Sequence, residues 1–160
     1  MKGRAEVFRL KSHIDNAFSM VDRIDAAELE LRSHLARYLV VLVSGFMERA
    51  IQELAMQCCR RMSSGPALSF ALARLDWSRN PTVDNVLALA GDFDPTWRNE
   101  LEAFMDDEHR AAIGTVVARR NIVSHGGTTS LTYASVAAHY ARIWEVIDFL
   151  MEKFDPLPRP

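Results

Sequence analysis

Residues 31–58 read LRSHLARYLVVLVSGFMERAIQELAMQC, the longest amphipathic pattern in the chain. Apolar side chains recur along it at steps of three and four residues, which places them on one face of an α-helix. This helix is predicted over 26–62 and would be about 50 Å long at about 1.5 Å per residue. Because 40–43 is apolar on every side of that helix, we expect burial on more than one side, in a bundle centre or at a subunit contact.

The same period predicts six further helices, at 4–24, 67–75, 83–90, 95–105, 108–124 and 133–154. Local signals mark several of their ends, because Thr82 and Asp94 are typical N-cap residues and Gly126 is a typical stop. The β-branched residues are scattered through these patterns, which excludes an all-β sandwich. We therefore predict an all-α bundle with two long core helices, short middle helices and a closing amphipathic helix. It forms one domain over 1–155, followed by a proline-rich tail at 156–160.

Composition and charge restrict the possible functions. The formal net charge is −2, so the chain lacks the overall basic field of proteins that bind nucleic acid by charge alone, and any such site must be local. The longest uncharged apolar run, 39–47, is much shorter than the roughly 18 residues that a membrane span needs. No secretory signal is recognisable, and the adjacent Cys58 and Cys59 are poorly placed to bridge each other. These features predict a cytoplasmic protein without membrane contact.

Most common catalytic and cofactor motifs are absent from the sequence. There is no HExxH, CxxC, GxSxG, P-loop or dinucleotide fingerprint, so we expect neither a metal nor a cofactor. The histidines outside the region discussed next are interpreted as surface or satisfied core residues: His13, His34, His109 and His139. The aromatic residues between the short middle helices are interpreted as filling the edge of the core: Trp77, Phe93 and Trp97.

The sharpest signal is ARRNIVSHGG at 118–127, where Arg120 and His125 enclose four residues at the end of a helix. On a regular helix, a separation of five residues puts two side chains about 140° apart, so they cannot meet at one atom. We expect Gly126 and Gly127 to free the backbone so that His125 leaves the helical path. A second copy of the helix across a symmetric interface could also complete the site.

Arg, His and Asn side chains together suit metal-free cleavage of RNA. Imidazole titrates near neutral pH and moves protons, while guanidinium holds two phosphate oxygens as negative charge develops. Asn121 can orient either group. The alternative is structural: Arg120 pairs with a carboxylate such as Glu48, and His125 caps the C-terminus of the helix, where a cation is favoured.

Arg120, Asn121, His125 and Gly126 resemble the R-x4-6-H motif of the HEPN superfamily. The long apolar helix with YLVVLVSGFME at 38–48, the variable middle, the motif helix and the closing helix are similar to the RiboL-PSP type, over nearly the whole chain. This resemblance implies a helical homodimer in which Arg120 and His125 of both subunits form one composite endoribonuclease site. It also implies a 2′,3′-cyclic phosphate product, formed without a metal.

The resemblance implies further roles and partners. Glu48 matches the acidic position of the family's long helix and would orient Arg120, and Arg119 is either a phosphate contact or a solvated surface charge. A toxin or phage-defence effector with an antitoxin or defence partner is implied. HEPN toxins that are silenced by adenylylation carry a Tyr two positions after the motif His, and here Gly127 argues against that control. The alternative function is a non-catalytic module for dimerisation or for binding RNA or nucleotides.

Overall fold

The computed structural model describes residues 2–75, 80–127 and 129–156, and within these ranges it contains helices and no β-strand. The helices are α1 (Lys2–Asp22), α2 (Leu29–Met62), α3 (Gly65–Arg74), α4 (Val83–Phe93), α5 (Pro95–Phe104), α6 (Asp107–Ser124) and α7 (Tyr133–Phe154). All seven were predicted from the sequence, and each end lies within three residues of its predicted position. The prediction of an all-α fold is confirmed.

Side-chain caps explain most of these boundaries. Thr82 Oγ1 accepts a hydrogen bond from the Asn85 N–H at 3.3 Å, and Asp94 Oδ1 accepts one from the Thr96 N–H at 2.7 Å. Both residues therefore act as the predicted N-caps. Helix α2 starts later than predicted because Asp25 closes a turn before it, with its carboxylate accepting from the Ala27 N–H at 2.9 Å.

Helix α2 lies at the centre and packs against α1, α6 and α7. It runs parallel to α7, because Phe46 contacts Tyr140 near the middle (ring centroids 5.9 Å apart) and Arg61 bonds Asp155 at the far end (3.0 Å). Val40 and Val43 are fully buried, while Val41 and Leu42 are only partly buried against the core, so the expected burial on more than one side is confirmed in part. None of the described helices is both long and apolar enough to cross a membrane.

An aromatic group joins the short middle helices to the end of α7. The Phe93 and Trp97 rings stack at 6.3 Å, and both meet Phe154 edge-on, at 4.9 and 5.1 Å. The interpretation of Phe93 and Trp97 as residues at the edge of the core is confirmed. Trp77 and residues 157–160 of the tail lie outside the described residues.

His109 ties the start of α6 to α7. Its ring is buried, with Nδ1 2.6 Å from Asp106 Oδ1 and Nε2 2.8 Å from Glu145 Oε2. Each ring nitrogen therefore lies within hydrogen-bond distance of a carboxyl group, one at the start of α6 and one on α7. Arg142 completes the group through Glu145 at 3.0 Å and Glu108 at 2.9 Å. His109 is thus a satisfied core histidine, as interpreted from the sequence.

Because of these charged contacts around His109, we expect the fold to lose stability in acid. The His109 N–H and ring lower the pKa of Asp106. Desolvation acts to raise the pKa of Glu145, but hydrogen bonds from His109 and Arg142 outweigh it and the pKa is lowered. Carboxyls with lowered pKa stabilise the fold above their unfolded values of about 4, and this stabilisation is lost as the pH falls through the lower folded values.

We therefore expect the free energy of unfolding to fall between pH 6 and pH 3 by more in the wild type than in His109→Gln. Urea unfolding followed by circular dichroism at both pH values measures the difference. An equal fall in the two proteins would contradict this role of His109.

Candidate active site

The motif lies at the C-terminal end of α6, where the glycines end the helix as predicted. Gly126 has φ +77°, a left-handed conformation that favours glycine. Its N–H donates to the carbonyl of Val123 at 3.0 Å, and the N–H of Gly127 donates to that of Ile122 at 2.9 Å. This pair of bonds is a Schellman motif, which satisfies two of the last carbonyls of the helix.

His125 is the C-cap residue of α6, with φ −98° and ψ 16°, so it begins to depart from the helical path as expected. Its N–H still donates to the carbonyls of Asn121 at 3.2 Å and Ile122 at 3.3 Å, and the chain turns one residue later, at Gly126. The imidazole is exposed. A regular helix would place the side chains of Arg120 and His125 about 140° apart, and among the described residues no hydrogen bond joins the two.

Position 127 requires glycine because the chain there passes close to Ile122 at the end of α6. A Cβ atom placed there would lie 2.6 Å from Cγ2 of Ile122 and 3.0 Å from its carbonyl oxygen. A larger side chain at 127 would therefore displace Ile122 from the end of α6. The Schellman turn accounts for a glycine where adenylylated HEPN toxins carry tyrosine.

Arg120 keeps an uncompensated positive charge among the described residues. Its Nη1 donates to Oδ1 of Asn80 at 3.3 Å and to Oδ1 of Asn121 at 3.2 Å, and both acceptors are neutral amides. No carboxylate in the described part of the chain forms an ion pair with it. The side chain is half-buried, so the guanidinium is held in place and remains accessible to an anion.

Comparison with known protein families gives a match over nearly the whole chain. Residues 5–155 match the family model described as RiboL-PSP-HEPN. The chain belongs to the RiboL-PSP-HEPN family. No curated protein and no solved structure matches it. Since HEPN domains are often ribonucleases, the match associates this helical bundle with RNA-related activity.

Glu48 makes no hydrogen bond or ion pair to Arg120 among the described residues, so neither the expected support nor the alternative ion pair is seen within one subunit. It is partly buried on α2, just after Phe46, whose ring packs on Tyr140 and Trp144 of α7 with centroids 5.9 and 6.3 Å apart. A role of Glu48 in the site stays a prediction.

The other candidate residues lie at the same end of α6. Asn121 touches Arg120, and among the described residues its side chain makes no hydrogen bond to His125. Arg119 is half-exposed and has no ion-pair partner in the described ranges. Asn80 was missed in the sequence, because it lies forty positions from Arg120 and only the packing of α4 near α6 brings the two side chains together.

Exposed residues of α6 and α2 form two weakly polar surfaces. On α6, Ala111, Gly114, Ala118 and the 38% exposed Ile122 share one exposed face with His125. On α2, Leu31 and Tyr38 are 46% and 56% exposed. A Cβ atom placed on Gly45 or Gly114 would meet nothing within 4 Å, so another backbone could approach closely at both positions.

Proposed function

We propose that this HEPN domain is a metal-independent endoribonuclease that cleaves single-stranded RNA at a composite site in a homodimer. The observation that carries the proposal is the accessible guanidinium of Arg120, which neutral amides hold and no described carboxylate neutralises. An accessible imidazole lies on the same helix end, so a phosphate binder and a proton carrier are available together. Arg119 is a further phosphate contact.

In the proposed reaction, the 2′-hydroxyl oxygen of one nucleotide attacks its 3′-phosphorus. His125 takes the proton of that hydroxyl, and His125 of the partner subunit gives a proton to the departing 5′-oxygen. The O2′–P bond forms and the P–O5′ bond breaks, which yields a 2′,3′-cyclic phosphate and a 5′-hydroxyl. Arg120 stabilises the charge that builds on the non-bridging oxygens, and Asn121 orients its guanidinium.

The geometry of α6 supports the proposed dimer. The side chains of Arg120 and His125 would lie about 140° apart on a regular helix, whereas a twofold axis near the exposed face of α6 would bring the His125 side chains of two chains together. The small residues on this face would allow the two helices to approach closely. The exposed Leu31 and Tyr38 of α2 are suited to burial in such an interface. Glu48, which makes no described contact with Arg120 within one chain, could support Arg120 across this interface.

The cleavage assay uses purified wild-type protein and a mixed-sequence single-stranded RNA in EDTA. We expect fragments with 2′,3′-cyclic phosphate ends and no cleavage of the corresponding DNA, because DNA lacks the attacking hydroxyl. Fragments with linear 3′-phosphates or 5′-phosphates would contradict the mechanism. A folded dimer that binds RNA without cutting it would favour the non-catalytic module.

A substitution that places a charge on the exposed face of α6 tests the dimer. Ala118→Glu is expected to convert a two-chain species into a monomer in sedimentation and to remove RNA cleavage, because two facing carboxylates repel each other. Ala73→Glu, on the exposed surface of α3, is the matched control. It is expected to leave the sedimentation mass and the RNA cleavage unchanged. A wild type that sediments as a monomer at micromolar concentration would contradict the composite site.

We further place this activity in the cytoplasm, as the effector of a toxin or phage-defence pair in which a partner protein restrains RNA cleavage. The accessible site supports this role, since nothing in the described chain covers His125. Expression of the wild type without a partner is expected to stop growth, whereas the His125→Ala variant is expected to be tolerated. Equal growth of cells that express the two proteins to equal levels would contradict it.

A further inference from the structure

The contact between Asn80 and Arg120 joins two distant parts of the chain. Asn80 lies just before α4, and its Oδ1 accepts a hydrogen bond from Arg120 Nη1 at 3.3 Å. Asn121, the neighbour of Arg120 on α6, accepts from the same nitrogen at 3.2 Å. The guanidinium is therefore held from two sides, once by its own helix and once by a separate element.

The main chain fixes the position of Asn80. Its carbonyl oxygen accepts hydrogen bonds from Asn85 Nδ2 and from the Thr82 N–H, both at 2.8 Å. Thr82 in turn caps α4, and that helix is anchored in the core by buried residues such as Val86 and Leu87. Although Asn80 is exposed, two hydrogen bonds thus tie its backbone to the start of α4, which lowers the entropy that its side chain loses when it orients a partner.

The acceptor at position 80 is a neutral amide oxygen, and this choice affects the charge that Arg120 can offer to a substrate. Elsewhere in the molecule arginines meet carboxylates, as in the pairs Arg61 with Asp155 and Arg142 with Glu108. A carboxylate at position 80 would orient Arg120 equally well but would cancel its charge and compete with phosphate. A neutral amide orients the guanidinium and leaves its charge for a substrate.

We propose that Asn80 is a positioning residue that holds the guanidinium of Arg120 in the orientation needed by the transition state. This inference rests on the proposed function, because it assigns Asn80 a part in the same ribonuclease site. Asn80 acts through Arg120 and does not itself move a proton. It links the segment just before α4 to the motif helix.

Three substitutions at this exposed position separate orientation from charge. Asn80→Ala is expected to lower kcat roughly tenfold with little change in KM, because Arg120 keeps its charge and loses one hydrogen bond that fixes it. Asn80→Asp is expected to raise KM and to weaken the salt dependence of RNA binding, because an ion pair replaces a phosphate contact. Asn80→Gln, which keeps the amide, is expected to recover part of the kcat.

Asn99 provides matched controls, since it is an exposed asparagine on α5 far along the chain from the motif. Asn99→Ala and Asn99→Asp are expected to match the wild type in kcat, KM and salt dependence. If the Asn80 variants behave like the Asn99 variants, the inference is overturned. Equal loss of kcat in the alanine and glutamine variants would also overturn it, because the amide would then have no specific role.

Binding provides a readout that does not depend on cleavage. With RNA that carries 2′-O-methyl groups and cannot be cut, Asn80→Ala is expected to bind like the wild type and Asn80→Asp more weakly. If the wild type cuts no RNA, the proposed function fails, while this binding series still decides whether Asn80 controls the charge of Arg120. Equal RNA binding by the wild type and Asn80→Asp would show that Asn80 does not control the charge of Arg120.

Discussion

His125→Ala is expected to reduce the rate of RNA cleavage by roughly 10³-fold, within the range that general acid and base groups contribute. Arg120→Ala is expected to lose about 10²-fold to 10³-fold, because one preorganised donor to the transition state disappears. Arg120→Lys should remain well below the wild type, since an ammonium group keeps the charge but not the planar fork of donors. Single-turnover cleavage of an end-labelled RNA in EDTA measures all three rates.

Matched controls come from exposed residues of the same type on α1 and just after it. His13→Ala and Arg23→Ala remove an imidazole and a guanidinium from positions outside the site, and neither should change the rate. Circular dichroism and sedimentation establish that each variant is folded and has the mass of the wild type. If a folded His125→Ala dimer cleaved RNA at the wild-type rate, the assignment of the proton carrier would be wrong.

Asp155→Ala is expected to destabilise the fold by about 3 kcal/mol, at the lower end of the loss typical for breaking a buried charge pair, since Arg61 is partly solvated. Only 3% of Asp155 is exposed. Its carboxylate accepts from the Arg4 N–H and from Arg61 Nη1, both at 3.0 Å, so it joins the ends of α1, α2 and α7. Removing it leaves these donors partly buried without their acceptor.

Urea unfolding measures this loss as a shift of the midpoint at constant slope. Asp148→Ala, at an exposed position on α7, is the control and should change the free energy of unfolding by less than about 0.5 kcal/mol. The unfolding midpoint of Asp155→Asn should lie between those of Asp155→Ala and Asp148→Ala, because the amide oxygen still accepts one hydrogen bond but carries no charge. A midpoint for Asp155→Ala equal to that of Asp148→Ala would show that the contact contributes little.

The helices were predictable because their signals are local. The apolar period of α2 and α7 and the caps Thr82 and Asp94 depend only on residues within a few positions of one another. The stop at Gly126 is local in the same way, as is the angle of about 140° between Arg120 and His125. The family motif was recognisable for the same reason, since all its residues lie in ten consecutive positions.

Contacts between distant segments were not predictable in this way. Glu48 resembles the acidic position of the family's long helix, yet among the described residues it makes no hydrogen bond or ion pair to Arg120. Asn80 carries no sequence signal and nevertheless meets Arg120. His109 was interpreted as one of several unremarkable histidines, but packing places it between two carboxylates.

Local sequence thus determined where each helix begins and ends, which of its faces is apolar, and which residues form the motif. The tertiary structure decided which side chains from different helices meet, and therefore that Arg120 faces two amides instead of a carboxylate. The physical reason is that hydrogen-bonding and hydrophobic periodicity act within one helix. The axial offset and rotation between two helices, by contrast, depend on how all their side chains pack together.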